Sequence, residues 1–249
     1  MKRLDTTRLP ALDYTATEAV NTLCTNLSFV GKDVKRIMVT SCREAEGKSF
    51  LSINILRTMA NLGKRVALVD ADLRRSASVA RYGIRMPDGV LEYGITHFLA
   101  GMCDAEEILY STNIPGAYMS PVGYEVSNSL SLLSNRLFPE FLEYLANQFD
   151  FVIVDAPPVG MIIDAAEIAK SCDGTLFVVD YNKVSRRELQ DAKQQIERSG
   201  CPVLGAVLNN VTFDSYTSKK YYNKYYHTRY SKESSAKPTS RRKKARRAE

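Results

Sequence analysis

The run Ser41-Cys42-Arg43-Glu44-Ala45-Glu46-Gly47-Lys48-Ser49 ends in Gly-Lys-Ser. That ending suits a loop whose backbone N–H groups point at phosphate oxygens, with the positive end of a helix dipole behind them. Lys48 would add a point charge to the β- and γ-phosphates, and the Ser49 hydroxyl is placed to ligate Mg²⁺. Glu46, Gly47 and Phe50 belong to the same loop and helix start and are read, with Lys48 and Ser49, as nucleotide-binding. The pattern G-x-x-x-x-G-K-[ST] expects glycine at 42, where this chain has Cys42. Cysteine is small enough for such a loop to close. The plainer alternative is an ordinary strand-to-helix turn with Lys48 as a surface charge.

Two acidic stretches point to the same chemistry. One is Val69-Asp70-Ala71-Asp72-Leu73-Arg74-Arg75, and the other is Val154-Asp155-Ala156-Pro157-Pro158. Carboxylates at the C-terminal ends of parallel strands lie on the edge where such sheets bind ligands. Asp155 follows Phe151-Val152-Ile153-Val154, the Walker B pattern that holds Mg²⁺ directly or through water. One aspartate after a strand is commonly a turn residue or helix N-cap. Three carboxylates beside a Gly-Lys-Ser are harder to explain as caps.

The third group is a cluster of possible phosphate acceptors. Tyr216, Tyr221, Tyr222, Tyr225, Tyr226 and Tyr230 are six of the chain's 14 tyrosines. They lie in a segment with no apolar periodicity, so burial does not account for them. Such a tail can reach a nucleotide site on its own or a neighbouring subunit, as in-line phosphoryl transfer requires. The alternative is an aromatic and basic segment that binds RNA or a membrane without being modified.

The elements that must position these groups follow from hydrophobic periodicity. Strands are expected over Arg36–Ser41, Arg65–Asp70, Ala117–Val122, Phe151–Asp155, Thr175–Asp180 and Val203–Asn209. Most are apolar nearly throughout, the pattern of strands buried on both faces of a parallel sheet. Helices are expected over Thr17–Phe29, Lys48–Leu62, Phe138–Gln148 and Ser185–Ser199. In the second, Leu51, Ile55, Met59 and Leu62 form one apolar stripe that stops at Gly63. Gly89–Thr112 reads as helical turns and loops. The alternation means βαβ units in a doubly wound, mostly parallel α/β sheet. Residues 1–15 read as an N-terminal extension, 16–211 as the phosphate-binding domain, and 212–249 as a disordered tail.

Composition narrows the class. The net charge is +6, but Lys219 to Glu249 carries 12 Lys/Arg against Glu233 and Glu249. That segment is +10, and the rest of the chain, with 22 basic against 26 acidic residues, is −4. No stretch is apolar and long enough to span a bilayer, and the N-terminus has no secretory h-region. The five cysteines are scattered without a C-x-x-C, and there are two histidines. A disulfide framework or zinc site is not expected, and the expected location is the cytoplasm.

TSCREAEGKS, VALVDADLRRS and FVIVDAPPVG, followed by the tyrosine cluster, resemble the bacterial tyrosine kinases of the capsular and exopolysaccharide type. These are relatives of the MinD and ParA P-loop ATPases. The resemblance runs from about Glu18 to the tail. Its most specific element is Asp-Ala-Asp-Leu-Arg-Arg, which looks like the family's Walker A′ motif. The resemblance implies ATP and Mg²⁺ as cofactors, with Lys48, Asp70 and Asp72 catalytic. Asp70 matches the base that receives the tyrosine proton, while Asp72 and Asp155 match residues that organise the metal together with Ser49. Asn209 matches a position near the adenine, and Asp164 a switch-region residue; a turn and a helix cap remain the plain alternatives. Implied partners are a separate membrane-spanning activator, further copies of the chain in a ring, and a cognate tyrosine phosphatase. Recruitment to the inner face of the plasma membrane is expected, and nucleic acid is not.

The chain departs from the family pattern in three places. Glu44 and Ala45 replace a proline and a glycine, and the Cβ of Ala45 predicts a cost to nucleotide affinity. A Glu-x-x-Arg-x-x-Arg ring-assembly stretch reads Glu18-x-x-Asn21-x-x-Cys24 here. Arg43 stands where MinD and ParA carry a second lysine. Two other functions therefore stay open: a ParA/MinD-like switch that binds DNA or lipid, and a weakly active or inactive regulator.

Overall fold

Eight strands form one sheet in the order β1-β4-β5-β3-β6-β2-β7-β8. They are β1 (Arg3–Leu4), β2 (Arg36–Ser41), β3 (Val66–Asp70), β4 (Tyr110–Thr112), β5 (Ala117–Ser120), β6 (Phe151–Asp155), β7 (Gly174–Asp180) and β8 (Val203–Asn209). A computed structural model describes residues 2–75, 82–84, 93–160 and 163–211. The helices among them are α1 (Tyr14–Leu27), α2 (Lys48–Asn61), α3 (Ile95–Leu99), α4 (Ser129–Leu133), α5 (Leu137–Gln148), α6 (Asp164–Ala169) and α7 (Arg186–Glu197). The chain divides into a unit Met1–Asn210 and a unit Val211–Glu249. Of the second unit only Val211 is described, so the six tail tyrosines lie outside the described residues.

The expected doubly wound, mostly parallel sheet is present. Every pairing is parallel except β4 with β5. β3, β6 and β7 are buried along their whole length. Helices cover both faces, which is why these strands are apolar without alternation. On one face Cys24 of α1 and Leu51, Ile55 and Met59 of α2 pack on Ile37, Val39, Leu68 and Ile153. On the other, Phe141 and Leu145 of α5, Ile168 of α6 and Ile196 of α7 pack on Met38, Val69, Val152 and Val154. The crossover after β2 leads to one side of the sheet and that after β6 to the other. A ligand crevice forms where such crossovers diverge, at the C-terminal strand ends.

Local chemistry sets the element ends. α1 begins three residues before the expected start because the Asp13 side chain accepts the Ala16 N–H at 2.7 Å. α2 stops in a Schellman turn: Gly63 has φ 82°, its N–H donates to the Ala60 carbonyl, and the Lys64 N–H donates to the Met59 carbonyl. α7 opens on a reciprocal capping box between Ser185 and Glu188. β5 ends at Ser120 rather than Val122, because Pro121 has no N–H for the ladder. The Pro121 and Val122 carbonyls instead accept the Ile95 and Thr96 N–H groups.

The sheet has an edge that periodicity did not disclose. β4 lies within the segment read as turns and loops and runs antiparallel to β5. β1, inside the stretch set apart as an extension, pairs with β4. Leu4 is fully buried, and the Thr6 N–H donates to Asn113 Oδ1 at 2.7 Å. Strands of two and three residues carry too little pattern to be read from sequence.

Candidate functional site

The loop after β2 enters α2 through Gly47, whose φ is 97°. Ala45 also adopts the left-handed region, at φ 59°. A β-carbon is strained there, as the missing glycine predicted. Cys42 fits at its own position and is buried. Its N–H donates to the Glu46 carboxylate at 3.0 Å. Glu46 therefore turns its side chain inward to brace the loop, leaving its backbone for a ligand. Its buried Oε1 has no hydrogen-bond partner among the described residues. Burial, assisted by the charge of Asp180, holds the Glu46 carboxyl above the usual carboxylate range.

Other side chains hold the loop from outside. The Asn209 side-chain amide, from the last position of β8, donates to the Glu46 carbonyl at 2.8 Å. The Arg43 Nε–H donates to Glu188 at the start of α7 at 2.9 Å. Arg75 Nη1 donates to Glu44 at 2.8 Å. Phe50 is the third residue of α2, and its ring lies 6.3 Å from that of Tyr82.

The acidic groups converge beside this loop. Asp70 and Asp155 are register partners on β3 and β6, and both are buried. Burial, followed by the charge of Asp70, pushes the Asp155 carboxyl well above the ordinary range, while Lys48 and a hydrogen bond from Ser49 pull it down. Burial also raises Asp72, and Lys48 again opposes the shift. Lys48 thus acts on both Asp155 and Asp72, while Asp70 and Asp72 both add to the negative charge felt by Asp155. Of the residues expected to form the site, Glu46, Gly47, Lys48, Ser49, Asp70, Asp72, Asp155 and Asn209 meet at this one strand-end edge.

These residues fit a magnesium nucleotide. Among the described residues no three His, Cys, Asp or Glu side chains form a metal cage. Magnesium seldom uses one; it takes one or two protein oxygens plus phosphates and water. The Ser49 hydroxyl and the Asp155 carboxylate supply such hard oxygens, and the excess of negative charge around Asp155 suits a divalent cation.

Asp164 is not a helix cap. It is the first residue of α6, is 1% exposed, and pairs with the Arg74 guanidinium at 2.8 Å. The Ser129 hydroxyl also donates to it. In the sequence Arg74 stands only as part of Asp-Ala-Asp-Leu-Arg-Arg, with no partner assigned, and Ser129 is not marked at all. No local signal marks a pairing between segments so far apart in the chain. The Arg43–Glu188 contact went unread for the same reason. In α1, Cys24 is buried in the core and its thiol is pushed up to about 12 by burial. That helix position therefore faces inward rather than toward another subunit.

Residues 34–199 match the family described as AAA domain. The chain is 37% identical over 195 residues to the tyrosine-protein kinase CpsD of Streptococcus agalactiae serotype Ia, covering 78% of this chain and 82% of that protein. Its structure is similar to the kinase domain of the Escherichia coli tyrosine kinase ETK, with a TM-score of 0.75, 26% identity, and coverage of 84% and 83% of the two chains. The fold alone is shared with the cell division ATPase MinD of Pyrococcus furiosus, at a TM-score of 0.60 and 24% identity, covering 70% of this chain and 71% of that one.

Proposed function

We propose that this chain, which belongs to the bacterial tyrosine kinases of the capsular and exopolysaccharide type, transfers phosphate from ATP to its own C-terminal tyrosine cluster and thereby regulates polysaccharide production or export. The observation that carries this reading is the meeting of Lys48, Asp70, Asp72 and Asp155 at the mouth of one phosphate loop.

The residue roles follow from that placement. Backbone amides from Glu46 to Phe50 and the Lys48 ammonium hold the phosphates, and Asn209 lies toward the base. Ser49, Asp155 and Asp72 would hold magnesium, which would offset charge on the transferring group. Asp70 accepts the proton of the attacking tyrosine hydroxyl, a role worth about 10²–10⁴-fold in rate. The acceptors are Tyr216, Tyr221, Tyr222, Tyr225, Tyr226 and Tyr230. Each phosphate would add about −1.5 to −2 charges at neutral pH and offset part of the basic tail.

The partners we infer are a separate membrane-spanning activator, further copies of the chain in a ring, and a tyrosine phosphatase that resets the tail. No described helix is long and apolar enough to cross a membrane. The basic segment would draw the chain to an anionic inner membrane face, at about 1 kcal/mol per residue near the surface. The MinD-like alternative would rely on Arg43, which here is bonded to Glu188 of its own chain.

Incubation with ATP and Mg²⁺, followed by mass spectrometry of the tail, tests the reading. Phosphotyrosine in the wild type and none in Lys48→Met is expected. An unmodified tail, or equal modification of both proteins, removes it.

A further inference from the structure

Two adjacent arginines follow Asp72, and the structure treats them oppositely. Arg75 points outward, is 74% exposed on its side chain, and meets the half-exposed Glu44. Exposed pairs of that kind hold little. Arg74 turns inward. Its Nε and Nη2 donate to the two oxygens of Asp164 at 2.8 and 3.3 Å, and its Nη1 donates to the Ser127 carbonyl at 3.1 Å. The Ser129 hydroxyl donates to the same carboxylate, and the Val126 N–H donates to the Leu73 carbonyl at 2.9 Å. A forked, two-point contact to a carboxylate that is 1% exposed fixes position as well as charge.

Three separate segments are joined at this point: the stretch carrying Asp70 and Asp72, the loop before α4, and the start of α6. α6 is the first helix after the Walker B strand that carries Asp155. Asp164 is close enough to Asp72 to raise its carboxyl. Neither Arg74 nor Asp164 is among the groups assigned above to nucleotide or metal.

We propose that Arg74 and Asp164 are a positioning pair, which holds the Asp72 loop against α6 so that the metal side of the site is assembled when the nucleotide binds. This rests on the reading of Asp72 and Asp155 as the metal-organising groups. The phosphate loop is held by other contacts, from Asn209 and from the inward-turned Glu46. Loss of the pair should therefore weaken what magnesium adds and leave the rest of nucleotide binding in place.

Calorimetry of ADP binding to the full chain, with and without Mg²⁺, separates these effects. Arg74→Gln and Asp164→Asn should bind ADP without magnesium within about twofold of wild type, while the gain on adding magnesium falls by about 10-fold or more, the size expected when an outer partner of a metal site is removed. The double variant should be no worse than the worse single one, because the residues act as a unit. Arg74→Lys, which keeps the charge without the fork, should recover part of the gain and serves if a harsher variant does not fold. Full magnesium gain in a folded single variant, additive losses, or a wild type with no magnesium gain would overturn the proposal. Phosphotyrosine measured on the same wild-type sample tells this outcome apart from failure of the kinase reading, since ADP binding needs no transfer.

Discussion

The Asn209 side-chain amide lies so close to Gly47 that a β-carbon there would stand 2.1 Å from its nitrogen. The contact seals the loop against the end of β8, and the same amide holds the Glu46 carbonyl. Gly47→Ala would meet both this clash and the strain of φ 97°. We expect a loss of about 5- to 150-fold in ADP affinity, corresponding to about 1–3 kcal/mol of backbone strain. Asn209→Ala alone, which removes the brace on the Glu46 carbonyl without adding strain, should lose less. Calorimetry on both variants checks this, and unchanged affinity in Gly47→Ala would refute it.

Ala45 invites the opposite change. Its φ of 59° costs a residue with a β-carbon about 1–2 kcal/mol. Ala45→Gly should therefore stabilise the fold by about 0.5–1 kcal/mol, after the entropy of glycine is set against the relieved strain. For a chain of this size that is a rise of about 1–4 °C in Tm. A lower Tm would show that the loop gains something else from alanine.

The tie between Arg43 and Glu188 has a pH signature. Backbone and hydroxyl hydrogen bonds from Ser185, with the Arg43 guanidinium, lower the Glu188 carboxyl from 4.5 to about 2. A lowered carboxyl contributes stability above its unfolded value and loses it as pH falls through the folded one. The contact should thus persist from neutral pH down through 4.5 and fade toward about 2. Carbon-13 NMR titration of the Glu188 carboxyl reads this directly, and Arg43→Gln should move its midpoint upward. A midpoint near 4.5 in the wild type would show that the tie does not form in solution.

Asp70 gives the sharpest test of the chemistry. Asp70→Asn keeps nearly the same shape beside Asp155 but cannot take a proton. Autophosphorylation should fall by at least about 100-fold, the lower end for a general base. Nucleotide binding should remain. Equal loss of binding and transfer would instead make Asp70 a binding group.

Much of this protein is legible along the chain. Val66-Ala67-Leu68-Val69-Asp70 is a buried strand because every residue before the aspartate is apolar. Gly-Lys-Ser after a strand marks a phosphate loop because a helix N-terminus binds anions wherever it occurs. The stripe Leu51, Ile55, Met59 and Leu62 marks a helix without reference to any other segment, but Leu62 is exposed and Ile53 and Leu56 are buried beside the stripe. The small edge strands escaped notice because two or three residues cannot display a period, and Pro121 shortened β5 by a rule about donors that the apolar pattern does not carry.

What the sequence determined by itself are the properties that live within a few residues: strand, helix, cap, and the chemical types at the strand ends. Only the tertiary structure decided that Asp70 faces Asp155, that Glu46 turns inward to Cys42, and that Arg74 reaches Asp164 while Arg75 reaches Glu44. The reason is geometric. Which carboxylates share an edge depends on which strands become neighbours, and which of two adjacent arginines reaches a buried carboxylate depends on a helix that forms much later in the chain.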